Sequence, residues 1–235
     1  GGCDGLTLVA PTGDADYVAA RPGALRVLRE GERPGLALKD AAADVDFRFH
    51  PLAKGLSELF HANELAVFHA AGLKDATRSH FDAEDRMERA APSVGASVGG
   101  WLARWLNAAK PEGILTSLAV GSSAPDSLRG ALGVAVAEQI DGLRIAPGHG
   151  HSAAMRAHLG RALGSHPVLA QPFQRLLSLS EAIEAKAALD KNGNLKPYQA
   201  SVDYPGENPL AEQLKTVAQS IKLDLGLRVA TVDFG

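Results

Sequence analysis

Thr77-Arg-Ser-His-Phe-Asp82 places a guanidinium, a hydroxyl and an imidazole on three consecutive residues, Arg78, Ser79 and His80. The block follows Leu65-Ala-Val-Phe-His-Ala-Ala-Gly72, an apolar run that ends in glycine, and precedes a charged segment of helix-forming composition. Two chemistries fit this junction. Ser79-x-x-Asp82 has the spacing of a capping box, in which the serine hydroxyl accepts a free backbone N–H. A hydroxyl at a helix N-terminus also sits where free N–H groups and the positive dipole end favour a phosphate or sulfate. Arg78 could add its fork of donors to the same oxyanion. Sequence physics alone favours the cap, and one serine can serve both roles in different states. A serine nucleophile needs a base or a metal to take its proton. His80 is adjacent, but neighbouring side chains often point apart, and there is no G-x-S-x-G elbow.

Other residues have metal-ligating types. Asp4 lies within Gly1-Gly-Cys-Asp-Gly5, where a carboxylate among glycines can approach a cation closely. An Asp-Gly turn explains the same residues. His149-Gly-His151 could share a metal on an extended segment, although Pro147, Gly148 and Gly150 favour an exposed loop. His69 ends the apolar run and lies near the proposed site in sequence. His50, His61, His158 and His166 fall in or beside helices, where packing or surface roles suffice. Trp101 and Trp105 at i, i+4 read as core anchors, and the charges of residues 82–89 as a solvated helix face.

The elements that must position these groups are legible as patterns. Leu6–Ala10 reads as a short β-like run before the turn Pro11-Thr-Gly-Asp14. Residues 16–20 read as a helical turn stopped near Pro22, and 23–50 as irregular with one short hairpin. Leu52, Leu56, Leu59 and Phe60 mark one face of a helix, with a strand expected at Leu65–Phe68. Acids early and arginine late in residues 82–89 suit a helix dipole. Residues 91–100 read as a loop, and Trp101, Leu102, Trp105 and Leu106 as one helix face. Strands are expected at 114–120 and, weakly, at 143–146, with 131–137 ambiguous. Two helices split at Gly164–Pro167 cover 152–189. Asn208 caps a last helix with Pro209 in its first turn and a buried face of Leu210, Leu214, Val217 and Ile221. Gly226 fits its exit into a strand at 227–232, and a helix entering a strand so tightly suggests a parallel sheet with covering helices.

The whole is therefore expected to be α/β, a mostly parallel sheet flanked by helices in one partial domain over residues 1–235. With 235 residues, 46% of them apolar, and a net charge of −3, the chain is neither disordered nor collagen-like. No basic excess points to nucleic acid, and no segment reads as a membrane span. Cys3 is the only cysteine, which excludes an internal disulfide and a cysteine metal site. The start without methionine and the stop at Gly235 are read as truncation at both ends.

A series of motifs carries a resemblance: Gly1-Gly-Cys-Asp-Gly5, Asp16-Tyr17, Ala20-Arg-Pro22, His50-Pro51, Leu65–Gly72 and Thr77–Asp82. Gly100-Trp101-Leu102, Tyr204-Pro205, Pro209-Leu210, Gln213-Leu214 and Arg228-Val229 complete it in order. Over essentially its whole length the chain resembles the bacterial family called domain of unknown function 1501, in the alkaline phosphatase-like superfamily. The resemblance implies a mostly parallel sheet between helices, divalent metal ions and a small anionic ester substrate. It assigns Asp4 as a metal ligand and Ser79 as the nucleophile, with Arg78 and His80 flanking the substrate anion. It further implies export, often through a twin-arginine signal. The family usually has asparagine where this chain has Cys3, and it continues beyond the last strand with a Gly-Gly-Trp-Asp-Thr-His type block that supplies further ligands. The expectation is a metal-dependent hydrolase of phosphate or sulfate esters whose 235 residues alone are inactive. The alternatives are a non-catalytic exported binding or scaffold protein and a metal-independent serine esterase.

Overall fold

The structure, a computed structural model, describes residues 4–39, 45–74, 76–91, 99–145 and 151–233. Cys3, His149 and most of the 91–100 loop lie outside the described residues. The chain divides into two compact units, Gly1–Lys74 and Asp75–Gly235.

The first unit is built on a three-stranded antiparallel sheet. Its elements are helical turn α1 (Gly5–Leu8), strand β1 (Val9–Pro11), helix α2 (Ala15–Ala20), strands β2 (Leu36–Ala37) and β3 (Phe47–Phe49), and helix α3 (Lys54–His61). Strand β3 is central, with Phe49 opposite both Val9 and Leu36. The β-like run expected at Leu6–Ala10 begins only at Val9. Asp4 accepts the Leu6 N–H, and this cap turns residues 5–8 into a helical turn first. Asp14 caps α2 in the same way, accepting from Asp16 and Tyr17.

Val9, Leu38 and Phe49 form the core of this unit, and Leu56 and Phe60 of α3 pack on it. Leu52 precedes the helix and is 84% exposed, so it does not belong to that face. The strand expected at Leu65–Phe68 does not form. Leu65 and Val67 pack on the core while Phe68 is exposed, and no ladder partner exists among the described residues. The apolar run supplied side chains to bury, but a strand also needs a neighbour for its N–H and C=O groups. A second small cluster joins Ala10, Tyr17 and Val27, with the buried Tyr17 hydroxyl accepting from Val27 N at 3.0 Å. Tyr17→Phe leaves that N–H unpaired and is expected to lower stability by about 1–3 kcal/mol, read as a urea midpoint shift.

The second unit holds a three-stranded parallel sheet in the order β5-β4-β6: β4 (Ser117–Val120), β5 (Ala135–Ala137) and β6 (Val229–Val232). Its helices are α4 (His80–Arg89), α5 (Trp101–Ala109), α6 (Ser152–Leu163), α7 (Ala170–Lys186) and α8 (Pro209–Lys222). All four residues of β4 are buried, as a central parallel strand covered on both faces requires. Leu118 and Val120 face Leu179 and Ile183 of α7, together with Ile140, Leu143 and Leu225. Ala119, between them, faces Leu106 of α5 and Leu128. The two-residue period of the strand thus distributes one element between two cores.

Three sequence expectations for this unit are corrected. The weak strand at 143–146 is instead preceded by a 3-10 turn, Ile140–Leu143, whose Ile140 and Leu143 enter the core. In α5 the buried residues are Ala103 and Leu106, whereas Trp101 and Trp105 are 48% and 46% exposed and are not core anchors. In α8 the buried residues are Ala211, Thr216 and Ser220, while Leu214 and Ile221 are exposed. Small side chains let α8 approach the sheet closely. Thr216 and Ser220 return their hydroxyl hydrogens to carbonyls of Glu212 and Thr216, so burial leaves neither hydroxyl unpaired. Asn208 caps α8 with Pro209 in its first turn, and Gly226 (φ 83°) turns the chain toward β6. No helix among the described residues is long and apolar enough to cross a membrane.

Candidate functional site

Ser79 lies at the N-cap of α4 with extended backbone, and its Oγ accepts the Asp82 N–H at 3.2 Å. The cap half of the capping box is therefore formed. The Ser79 N–H is taken by Thr77 Oγ1 at 3.2 Å, two residues upstream. Arg78 and His80 are exposed and Ser79 is half-buried. Among the described residues no imidazole or carboxylate hydrogen-bonds Ser79 Oγ. The junction thus offers a hydroxyl, a guanidinium and the first N–H groups of a ten-residue helix, without an assembled proton acceptor.

Asp4 belongs to the first unit. Arg21 meets both of its oxygens, Nη1 to Oδ2 at 2.5 Å and Nη2 to Oδ1 at 2.6 Å. The Thr7 hydroxyl donates to Oδ2 at 2.7 Å. The Arg21 and Thr7 hydrogen bonds hold the Asp4 carboxyl far below the usual carboxylate range. The group is ionised, as a metal ligand must be, but its cation is already supplied by Arg21.

Several of the described histidines have local partners. His69 is exposed and stacks on Phe47 with ring centroids 4.3 Å apart. His50 Nδ1 accepts from Leu52 N, His61 Nδ1 donates to Ser57 O, and His166 Nδ1 accepts from Val168 N and Leu169 N. His151 stands at the start of α6. Among the described residues no three His, Cys, Asp or Glu side chains come together as a metal set.

The second unit has a cleft of about 980 Å³ outside the carboxyl ends of all three parallel strands. Gly121, Ser122 and Ser123 follow β4, Glu138 and Gln139 follow β5, and Asp233 follows β6. One wall comes from α4, through Phe81, Glu84, Asp85 and Glu88, and another from Trp101 and Leu102 of α5. Pro209, Glu212 and Gln213 of α8 close the far side, and Asp126 and Ser127 the rim. The charged face of residues 82–89 is thus a cleft wall and not merely a solvated face. Ser79, Arg78 and His80 do not line it.

Part of the acid in this cleft is engaged. Glu88 accepts the Ser127 N–H at 2.6 Å, and Asp126 pairs with Arg89 at 3.2 Å. Asp85 meets Arg89 at 2.7 Å, and Glu212 meets Lys215 at 3.4 Å. Glu84, Glu138 and Asp233 have no side-chain partner among the described residues and are exposed. Gln213 donates Nε2 to Val120 O at 3.3 Å, while its buried Oε1 is unpaired, as is the buried Thr231 Oγ1.

These cleft residues were missed because each follows a separate strand end and looks, in sequence, like an ordinary turn. The available signal was positional: ligands of open parallel sheets bind outside the strands' carboxyl ends. Fold and cleft together define a mixed α/β protein with a small parallel sheet flanked by helices and one acid-lined concavity at the usual ligand edge. No family model matches the chain, and neither does any curated protein or solved structure.

Proposed function

We propose that the protein is an exported, metal-dependent hydrolase of phosphate or sulfate esters of the alkaline phosphatase-like kind, resembling the family called domain of unknown function 1501. The observation that carries this reading is the placement of Ser79 at the N-terminus of α4 between the exposed Arg78 and His80. There the helix dipole and Arg78 favour the substrate's anionic oxygens. The Ser79 oxygen forms a bond to phosphorus or sulfur while the ester oxygen departs, and His80 is the imidazole this junction offers for the proton. No step is assigned to a metal, because the described residues assemble no ligand set for one.

The discriminating variant is Ser79→Asn, since asparagine caps a helix as well as serine but has no hydroxyl. In the longest form of the protein that turns over p-nitrophenyl phosphate or p-nitrophenyl sulfate with Mg²⁺, Mn²⁺ or Zn²⁺ supplied, the rate is expected to fall at least about 100-fold, with the melting temperature unchanged. Equal turnover in wild type and variant would leave Ser79 as a cap alone.

The cleft favours a second reading, a non-catalytic binding protein that keeps the α/β fold. Its specific observation is that the concavity at the strand ends is lined by carboxylates and excludes Ser79.

A further inference from the structure

We infer that the cleft at the carboxyl ends of β4, β5 and β6 binds a small organic cation, an amine or amidine carried on a flat apolar body; this rests on the binding reading above. The volume of about 980 Å³ suits a small molecule with room for solvent. The described lining carries one sign of charge, since no Lys, Arg or His is among the described lining residues. Glu84, Glu138 and Asp233 approach it from three different elements without a neutralising partner among the described residues. Carboxylates converging on one concavity focus a negative potential and raise the local concentration of cations.

The aromatic lining points to the same ligand chemistry. Phe81, 83% exposed, and Trp101, 48% exposed, offer ring faces on the walls. Exposed aromatic rings beside unpaired carboxylates are the pairing that recognises organic cations. An anionic ester meets the opposite of what it needs here. A bare divalent ion would need three or more converging ligands, which the described residues do not assemble.

Trp101 provides the readout, because the chain has only two tryptophans and Trp105→Phe leaves one. In that background, benzamidine is titrated against benzoate, a near-isostere of opposite charge, by calorimetry and by the Trp101 indole N–H signal. Saturable benzamidine binding that moves the signal and weakens with added NaCl is expected, with benzoate inert. The double variant Glu138→Gln with Asp233→Asn is expected to weaken benzamidine at least ten-fold, and Glu84→Gln several-fold. All three positions are exposed, and circular dichroism verifies the fold. Equal binding of benzoate, or benzamidine binding untouched by these variants, overturns the cationic class while leaving a binding cleft. Tight Mg²⁺ or Ca²⁺ binding that displaces benzamidine also overturns it, in favour of a metal site. Silence of the Trp101 signal to every probe removes both the inference and the binding reading.

Discussion

Gly100→Ala is expected to lower the stability of the second unit by about 3 kcal/mol or more. A Cβ on Gly100 would lie 2.0 Å from Ser127 O, 2.1 Å from Ser127 C and 2.2 Å from Asp126 O. These are main-chain atoms, so no rotamer change relieves the clash. The backbone of Gly100 (φ −58°, ψ 152°) is open to alanine, which makes the effect steric and not conformational. The only relief is to move the start of α5 away from Asp126 and Ser127, and that movement strains the Gly100 N–H to Arg129 O bond of 2.9 Å. It also loosens the cluster of Leu106, Ala119 and Leu128 that covers one face of the sheet. Overpacking a filled site ordinarily costs about 1–3 kcal/mol, and a contact this close against backbone belongs at the upper end or beyond. For a unit of this size that corresponds to a melting point lowered by roughly 6–12 °C. Gly206→Ala is the control, since nothing lies within 4 Å of its Cβ position, and its melting point is expected to stay within about 1 °C of wild type. Trp101, Asp126 and Ser127 line the cleft, so the same substitution is expected to distort the ligand edge in whatever fraction remains folded.

Local chemistry was the legible part of this protein. Ser79 before a charged helix, Asn208-Pro209 before an apolar one and the break at Gly164–Pro167 each concern a few neighbouring residues, and each stands in the structure as the sequence implies. The existence of the strands beginning at Ser117 and Val229 and the parallel character of their sheet were also legible, because a helix leading tightly into a buried run restricts the connection. Partner choice was not. Leu65–Phe68 has the apolar run of a strand, but Leu65 and Val67 find their burial on the core of the first unit with no ladder partner among the described residues. The α8 face was misjudged for a related reason. Periodicity weighted the large residues Leu214 and Ile221, whereas close helix–sheet packing selected Ala211, Thr216 and Ser220.

The candidate site shows the same division. The rule that ligands sit beyond the carboxyl ends of parallel strands points, when applied to the strand expected at Leu65–Phe68, to a run that joins no sheet among the described residues. Moved to the strands that do pair, it selects Gly121, Glu138 and Asp233, which are far apart in sequence and converge only through the register of β4, β5 and β6. The proposed hydrolase reading rests on Ser79 and an anionic substrate, whereas the inferred cleft ligand is a cation. The Ser79→Asn and benzamidine experiments therefore address different atoms and can succeed or fail independently.

Glu184→Gln is expected to lower stability at neutral pH by about 3 kcal/mol, with a pH signature of its own. Glu184 on α7 receives Arg156 of α6 through both oxygens, at 2.9 Å to Oε2 and closely at Oε1, and Arg144 at 3.2 Å. The Arg144 side chain is 2% exposed and that of Glu184 23%. Arg144 also reaches Asp141 at 2.7 Å and Gly193 O at 2.7 Å, so this one carboxylate helps to hold α6, α7, a 3-10 turn and the turn at Asn192-Gly193 together. Breaking a buried pair by removing one partner typically costs about 3–5 kcal/mol. The partial exposure of Glu184 and the contacts Arg144 retains argue for the lower end. The Arg156 hydrogen bonds, followed by the charge of Arg156 and then Arg144, hold the Glu184 carboxyl below its ordinary 4.5, against the opposing effect of burial. A carboxyl with a depressed folded pKa contributes stability that is fully present above its unfolded value. That contribution is lost as the pH falls through the folded pKa. The wild-type and Glu184→Gln stabilities are therefore expected to differ most near pH 7, to begin converging near 4.5 and to meet only as the pH falls through the lowered folded pKa, where Glu184 itself becomes neutral. Urea unfolding from pH 7 to pH 3 measures both curves, and a constant gap across that range would place the cost in packing and not in charge. Asp141→Asn separates the two ends of the network. The Asp141 side chain is 50% exposed, and its removal is expected to cost no more than about 1 kcal/mol, because solvent replaces most of what it gives Arg144.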